Sequence, residues 1–375
     1  MNRESVLNFE SRITSHELRI KGTELMTRIA VDAMGGDHAP FEIVAGAVWA
    51  ASEYGVGIEL VGKQDRIEEC LERIQQEGFL SDCGKAGKRY RVRIDVKSLD
   101  IKVTHASEII EMGEAPGQAI RKKKNSSIVL TVNSVATGSS DALVAAGSTG
   151  AAMASSLFGL GRIQGIDRPA IAVTLPTMRK PIVIIDGGAN SNCTPQMLKQ
   201  FASMGMIFSK NILGIENPRV GVLNIGEEAG KGNELAQQTY NLLEEEKEKY
   251  NFMGNVEGRE LFLNVCDVIV CDGFVGNVVL KVTEGTASLL LKMIKSEFKS
   301  DILGLIIGSL AKPFLKRIHE KINYEEFGGM LLLGVKGITV ISHGRSRAYA
   351  IKNAVRVAKE AVERGVNNKI AESIA

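Results

Sequence analysis

Short, mostly apolar runs, several of which end in Gly or Asp, each followed by a turn and often by helical periodicity, constrain this chain more than any other feature. They span Ile29–Asp32, Ile58–Gly62, Val92–Val96, Ala142–Ala146, Ala170–Thr174, Ile182–Asp186, Val220–Ile225, Val268–Cys271 and Ile338–Ser342. Helical patterns cover Phe41–Ser52, Gln64–Glu77, Pro116–Lys124, Gly150–Leu160, Pro195–Phe208, Asn233–Glu248 and Ser346–Glu363. Strands that are apolar on both faces belong in a sheet covered by helices on both sides. The alternation therefore predicts an α/β fold with a doubly wound, mostly parallel sheet, whose ligands bind beyond the carboxyl ends of its strands. A hydrophobic fraction of 44%, 39 glycines and only 5% aromatics suit such tightly turned architecture.

One stretch breaks the alternation. From Gly285 to Tyr324 the pattern is helical without a strand, and Asp301 is placed to cap a second helix after a boundary near Ser300–Asp301. The expected organisation is an N-terminal extension over 1–25, an α/β catalytic domain over 26–284 and 325–375, and a protruding helical pair over 285–324. Ile302, Leu305, Ile306 and Leu310 lead an apolar segment that turns basic at Lys312, Lys316 and Arg317. That segment is too short to span a bilayer but suits dimer packing or an interfacial helix.

Charge and cysteine usage narrow the function classes. A net charge of +2 gives no electrostatic footprint for nucleic acid. The five cysteines (Cys70, Cys83, Cys193, Cys266 and Cys271) form no CxxC pair, and their odd number argues against a disulfide framework. His16, His38, His105, His319 and His343 lack metal-ligand spacing, so no metal site is expected. Residues 1–25 mix charges and show no secretory signal, and no apolar run reaches the length of a spanning helix.

Five turns resemble one another. They are the segment from Asp32 through Gly35, Gly36, Asp37 and His38 to Pro40; Gly147-Ser148-Thr149-Gly150; Asp186-Gly187-Gly188-Ala189-Asn190; Asn224 through Glu227 to Glu228; and Asp272-Gly273 through Asn277. Glycine lets backbone N–H groups approach an anion, and a following helix N-terminus adds partial positive charge. None is GxGxxG and none is a Walker loop, which disfavours a standard nucleotide site. Arg168, Lys231, Lys281, Arg345 and Arg347 are the cations near these turns, and His343 precedes Arg345 at a strand-to-helix handover. A histidine there can donate or accept a proton.

The segments VDAMGGDHAP, AGSTGA, DRPAIAVTLPT, DGGAN, VLNIGEEAGKGNE, CDGFVGNVVLK and SHGRSRA together resemble the bacterial phosphate acyltransferase (PlsX) family of phospholipid synthesis, from about Arg28 to about Arg364. The extension before Met26 and a long charged loop around Ser81–Arg91 depart from the family pattern. The resemblance implies transfer of a fatty acyl group from acyl carrier protein to inorganic phosphate, without a cofactor. The acyl phosphate would feed a membrane glycerol-3-phosphate acyltransferase. It also implies a homodimer, a cytoplasmic enzyme peripheral to the inner face of the membrane, and a fold similar to phosphate acetyltransferases and isocitrate/isopropylmalate dehydrogenases.

Phosphate can attack a thioester directly, so the site has to hold phosphate, orient it and stabilise the oxyanion. The candidate catalytic residues are His343, Arg345, Asp32, His38 and Asn190. Candidate substrate-binding residues are Gly35, Gly36, Asp37, Gly147, Ser148, Thr149, Gly150, Arg168, Asp186, Gly187, Gly188, Asn224, Glu227, Lys231, Asp272, Gly273 and Asn277. Cys193 reads as a small buried residue rather than a nucleophile. Acidic carrier protein calls for basic landing patches, either at Arg121 and Lys122 or along Arg345, Arg347, Lys352 and Arg356. A nicotinamide-dependent dehydrogenase of the related fold and a non-catalytic membrane scaffold are the competing classes. The first lacks an adenine-ribose fingerprint, and the second leaves the glycine turns unexplained.

Overall fold

The structure is a computed structural model that describes residues 20–21, 24–81, 90–322 and 324–374. Most of the N-terminal extension, and the interior of the charged loop after Ser81, lie outside the described residues. The main strands are β1 (Arg28–Asp32), β2 (Gly57–Gly62), β3 (Ile101–His105), β4 (Ala142–Ala145), β5 (Ala170–Leu175), β6 (Ile182–Ile185), β7 (Val220–Asn224), β8 (Phe252–Glu257), β9 (Val268–Val270), β10 (Met330–Leu333) and β11 (Ile338–Ile341). The main helices are α1 (Phe41–Tyr54), α2 (Gln64–Glu77), α3 (Pro116–Lys122), α4 (Ser127–Ala136), α5 (Thr149–Gly159), α6 (Pro195–Ile212), α7 (Glu234–Glu244), α8 (Gly273–Glu297), α9 (Ile302–Ile322), α10 (Ala348–Glu363) and α11 (Val366–Ile374).

The chain divides into two compact units. The first comprises Met1–Ser81, Arg91–Ile163 and Phe327–Asn368. Its strands lie in the order β10-β11-β4-β1-β2-β3. All neighbours are parallel except β10, which runs antiparallel to β11. Ile29, Val31, Leu143, Val144, Val340 and Ile341 expose no surface, as expected of strands covered on both faces. Full burial of each such side chain contributes about 1.5–3 kcal/mol.

The second unit comprises Asp82–Tyr90, Gln164–Glu326 and Lys369–Ala375. Its strand order is β8-β7-β9-β6-β5, with β5 antiparallel to β6 and the other neighbours parallel. Leu175, Ile182, Ile184, Val256, Leu261, Ile269 and Leu280 form its apolar centre. The mostly parallel α/β architecture is the one that the alternation predicts.

Several elements differ from the sequence reading. Of Val92–Val96 only Val92 lies in a strand, the short Tyr90–Val92; a 3-10 turn occupies Val96–Ser98, and the main-sheet strand is the next segment, β3. Every second residue of β3 is polar and its side chains are only partly covered, so it lacks the all-apolar signature. Strands β8 and β10 and helix α4 also escape the pattern; α4 reads SIVLTVNSVA, whose β-branched content favours strand. Helix α8 begins at Gly273, twelve residues before the expected helical stretch, and the break before α9 falls at the expected Ser300–Asp301. There the Asp301 carboxylate accepts the Gly304 N–H at 2.6 Å.

Candidate active site

In the first unit, three turns at the carboxyl ends of β1, β4 and β11 meet backbone to backbone. A Cβ on Gly35 would lie 2.8 Å from the Gly147 amide nitrogen and 2.9 Å from Asp32 Oδ2. Gly36 has a φ of +100°, and a Cβ there would lie 2.9 Å from the Ala146 carbonyl and 3.0 Å from that of Gly344. Any side chain at these two positions would push the turns apart. The Asp37 N–H donates to the Gly344 carbonyl at 2.8 Å and stitches the first turn to the third. The glycines of VDAMGGDHAP are therefore required by close approach of main chains.

Helix α5 starts at this junction. Ser148 is its N-cap and its hydroxyl accepts the Ala151 N–H at 3.3 Å, while the Thr149 and Gly150 N–H groups belong to the first turn, which has no intrahelical acceptors. The macrodipole adds positive potential there. Beside it, the His343 ring accepts the Arg345 N–H on Nδ1 at 3.1 Å. A neutral His343 therefore carries its proton on Nε2. The side chains of His343 and Arg345 are exposed, as is Asp37, and His38 is half-buried with its carbonyl accepting the Glu42 N–H.

Asp32 lies at the floor, 4% exposed. Burial pushes its pKa up, and hydrogen bonds from the Ser127 hydroxyl and the Met34 and Gly35 N–H groups oppose that rise. Ser127 opens α4, the helix that the sequence reading missed. A small, partly open cavity lined by Asp32, Gly35, Ser127, Ser148, Ile109 and Ile110 lies over this floor. Its volume is about 10 Å³, close to the ~10–15 Å³ that one water requires.

Seven residues further along α4, Ser134 donates to Glu59 on β2, which is 2% exposed. Lys102 (2.8 Å), Thr104 (2.6 Å) and Ser140 (2.9 Å) donate to the same carboxylate. Burial acts to raise the Glu59 pKa, but these four donors outweigh it and hold it at about 2. Helix α4 is thus bonded to the sheet at Asp32 and at Glu59. A glutamate inside the apolar run GIELVG was the available signal.

The second unit gathers the other turns. Asp186 is fully buried, and its two oxygens accept the N–H groups of Ile171, Gly188, Ala189 and Asn190 and the Asn190 side-chain amide, at 2.8–3.1 Å. Burial raises its pKa against these donors. The Asn190 amide also donates to the Pro169 carbonyl at 2.7 Å. Its donors are thereby committed to holding the turn after Arg168, whose own side chain is exposed. Helix α8 seats its first turn on this loop. The Gly273 N–H donates to the Asn190 carbonyl at 2.7 Å, and a Cβ on Gly276 would lie 1.9 Å from the Asp186 carbonyl. Asp272 caps α8 through the Val275 N–H, and Asn277 faces Gly188. Gly187 is buried against Val173.

Asn224 folds its own loop, donating to the Lys231 carbonyl and accepting the Ile225 N–H. Glu227 and Lys231 are exposed, and Glu227 lies 3.6 Å from Arg259. Burial, with Asp186 and Asp272 nearby, pushes the Cys193 thiol up to about 12, so it carries almost no thiolate at neutral pH.

Of the basic patches, Arg121 and Lys122 are exposed in the last turn of α3. Arg347 lies 3.3 Å from Glu42, which also accepts the Ala348 N–H. Lys352 does not belong to a surface stripe. It is 7% exposed, bonded to both Glu53 oxygens and placed over the rings of Trp49, Tyr349 and Tyr54. Ile302, Leu305, Ile306 and Leu310 on α9 are all more than half exposed.

Comparison with known proteins agrees with this geometry. The family model described as "Fatty acid synthesis protein" matches residues 27–82 and 88–369. A phosphate acyltransferase from Desulforamulus reducens is 50% identical over 351 residues, covering 93% of this chain and 98% of that protein. One from Dictyoglomus turgidum is 45% identical over 348 residues, covering 92% and 97%. The chain belongs to the phosphate acyltransferase family. Membership makes it an acyltransferase enzyme. Among solved structures, a phosphotransacetylase from Streptococcus pyogenes aligns with a TM-score of 0.57 at 16% identity, covering 97% of this chain and 99% of that one. A 4-hydroxythreonine-4-phosphate dehydrogenase from Klebsiella pneumoniae aligns with a TM-score of 0.50 at 12% identity, covering 92% and 99%. These two likenesses bear on the fold, which is the transacetylase- and dehydrogenase-like one that the resemblance implied.

Proposed function

We propose that this enzyme transfers a fatty acyl group from an acyl carrier protein thioester to inorganic phosphate, and that phosphate binds at the glycine junction of the first unit. The observation that carries the reading is the convergence of Gly35, Gly36 and Gly147 on the N-terminus of α5, beside Asp32 and the His343–Arg345 loop. A phosphate dianion there meets the Thr149 and Gly150 N–H groups and the positive end of the helix. Arg345 supplies the charge partner. Asp32 accepts hydrogen bonds from the Ser127 hydroxyl and the Met34 and Gly35 N–H groups, and so holds the Gly35 turn against the phosphate.

A phosphate oxygen then attacks the thioester carbonyl. The C–S bond breaks, the C–O bond to phosphate forms, and the phosphate proton passes to the leaving thiolate. His343 Nε2–H donates to the developing oxyanion. No acyl-enzyme forms, and the raised Cys193 pKa accords with that. The Asp186–Asn190 turn acts by positioning Arg168 and the start of α8. Incubating the protein with acyl carrier thioester and phosphate tests the reading: acyl phosphate and free carrier thiol form in equal amounts.

The exposed apolar face of α8 and α9 supports a second part of the proposal. Leu289, Leu290, Met293, Ile302, Leu303 and Phe314 are each more than half exposed. Helix α8 is long and apolar enough to cross a membrane by length and composition alone. Its first turn is fixed on the Asp186 loop, however, and α9 turns basic at Lys312, Lys316 and Arg317. The arrangement favours a homodimer contact and peripheral binding to the inner face of the cell membrane. There a long-chain acyl phosphate reaches a membrane glycerol-3-phosphate acyltransferase. Equal liposome flotation of wild type and Leu305→Glu, with the dimer intact, would overturn the membrane part.

A further inference from the structure

The segment Ala106–Ala115, between β3 and α3, lies over the glycine junction. Ile109 and Ile110 line the cavity above Asp32 and Gly35, and Met112 Cε lies 3.2 Å from where a Cβ on Gly344 would be. The strap thus touches the junction through its middle, at Ile109, Ile110 and Met112. Its N-terminal half is bonded to the body: the Ala106 N–H donates to the Gly62 carbonyl at 2.7 Å, and the Ser127 and Asn125 N–H groups donate to Glu108. Its C-terminal half is gathered by one side chain. Lys123 Nζ donates to the Ile109 carbonyl at 2.8 Å and to Glu114 Oε1 at 2.5 Å. Glu114 in turn accepts the Glu111 N–H at 2.8 Å. A cation in a run of four, RKKK, is here turned inward as a latch, whereas its neighbours Arg121, Lys122 and Lys124 are exposed.

The cavity is partly open to solvent and has room for about one water molecule. Phosphate and a thioester cannot enter it with the strap in this position, so the strap opens for binding and closes afterwards. Closure has a chemical consequence. Water and phosphate compete for the same carbonyl: attack by water gives a free fatty acid and the carrier thiol, and attack by phosphate gives acyl phosphate and the same thiol. Excluding water from a closed site suppresses the first outcome.

We propose that Lys123 is a positioning residue that holds the Ala106–Ala115 strap closed over the bound phosphate, and so directs the acyl group to phosphate instead of water. The proposal rests on the phosphate reading of the first-unit junction. Its test is the partition of product. Full-length wild type, Lys123→Met and Lys123→Arg are given acyl carrier thioester and phosphate, and initial rates of free fatty acid and acyl phosphate are measured separately. The expected result is a rise of about fivefold or more in the fatty-acid fraction for Lys123→Met, with Lys123→Arg close to wild type because it keeps donors for both acceptors. Glu114→Gln provides a second variant on the strap side, with a smaller rise in the same direction. A merely structural role would lower both rates together and leave the fraction unchanged. An unchanged fraction in a folded, active Lys123→Met protein overturns the latch and leaves the phosphate site standing. Failure of wild type to make acyl phosphate at all overturns the reading beneath it.

Discussion

Replacing Glu59 by Gln perturbs the bond network that fixes α4, and the structure gives its size. The Glu59 pKa falls from 4.5 to about 2 on folding, because four donors outweigh the burial that opposes them. A difference of about 2.5 units at 1.36 kcal/mol each makes the ionised carboxylate worth about 3 kcal/mol at neutral pH. The sign follows from the depressed value. The contribution is complete above the unfolded pKa near 4.5, declines as pH falls below it, and is gone once pH has dropped through about 2. At pH 4 the unfolded chain is already mostly protonated at this position, and the contribution has shrunk by about 1 kcal/mol. Glutamine keeps the shape but offers one acceptor oxygen in place of two. Lys102 is 53% exposed and swings to water, while Ser134 and Ser140 stay buried with a poorer partner. The single tryptophan, Trp49, lies in the same unit, 8% exposed, edge-on to Phe79 and tilted against Tyr349, so its fluorescence follows the unfolding of that unit. Urea titrations at pH 7 and pH 4 should show Glu59→Gln less stable by about 3 kcal/mol at pH 7 and by about 2 kcal/mol at pH 4. Equal stability at pH 7, or a gap that does not change with pH, would refute the assignment of Glu59 as a buried ionised anchor.

Other outcomes follow from single positions. Gly36→Ala should lower acyl phosphate formation by 100-fold or more, on the order of losing one aligned oxyanion donor, with Trp49 fluorescence retained; wild-type turnover would show that the junction tolerates a side chain. Asp32→Asn should raise the KM for phosphate or lower kcat without lowering stability at pH 7, because a pKa raised by burial favours folding only as pH falls and costs stability once the group is ionised; a large loss of stability would contradict that sign. Cys193→Ala should keep activity, and the native thiol should resist alkylation at pH 8, as its pKa near 12 requires. Gly276→Ala should destabilise the second unit by several kcal/mol, since its Cβ would overlap the Asp186 carbonyl; unchanged thermal unfolding would refute that contact.

The parts of this protein that were legible in its sequence are those with a single physical cause. Strands such as Ile29–Val31 and Leu143–Val144 are apolar because both faces are covered, and glycines mark their carboxyl ends because main chains meet there. The turns were visible as motifs, yet their grouping was not. Gly35 meets Gly147 and Asp186 meets Gly276 through separations of more than 80 residues, which no local pattern encodes. Helix α4 was hidden because its sheet-facing side carries Ser127, Thr131 and Ser134, which read as polar although all three are buried. Its serines serve two buried carboxylates. Charge was the least legible property: Lys123 and Lys352 look like solvated surface lysines, and the fold turns each toward a specific partner.

The phosphate dependence of thiol release from acyl carrier thioester tests the central claim most directly. The account expects release to saturate with phosphate, to match acyl phosphate formed one for one, and to be nearly abolished in Gly36→Ala. Thiol release that ignores phosphate, or that yields free fatty acid alone in the wild-type protein, would contradict it.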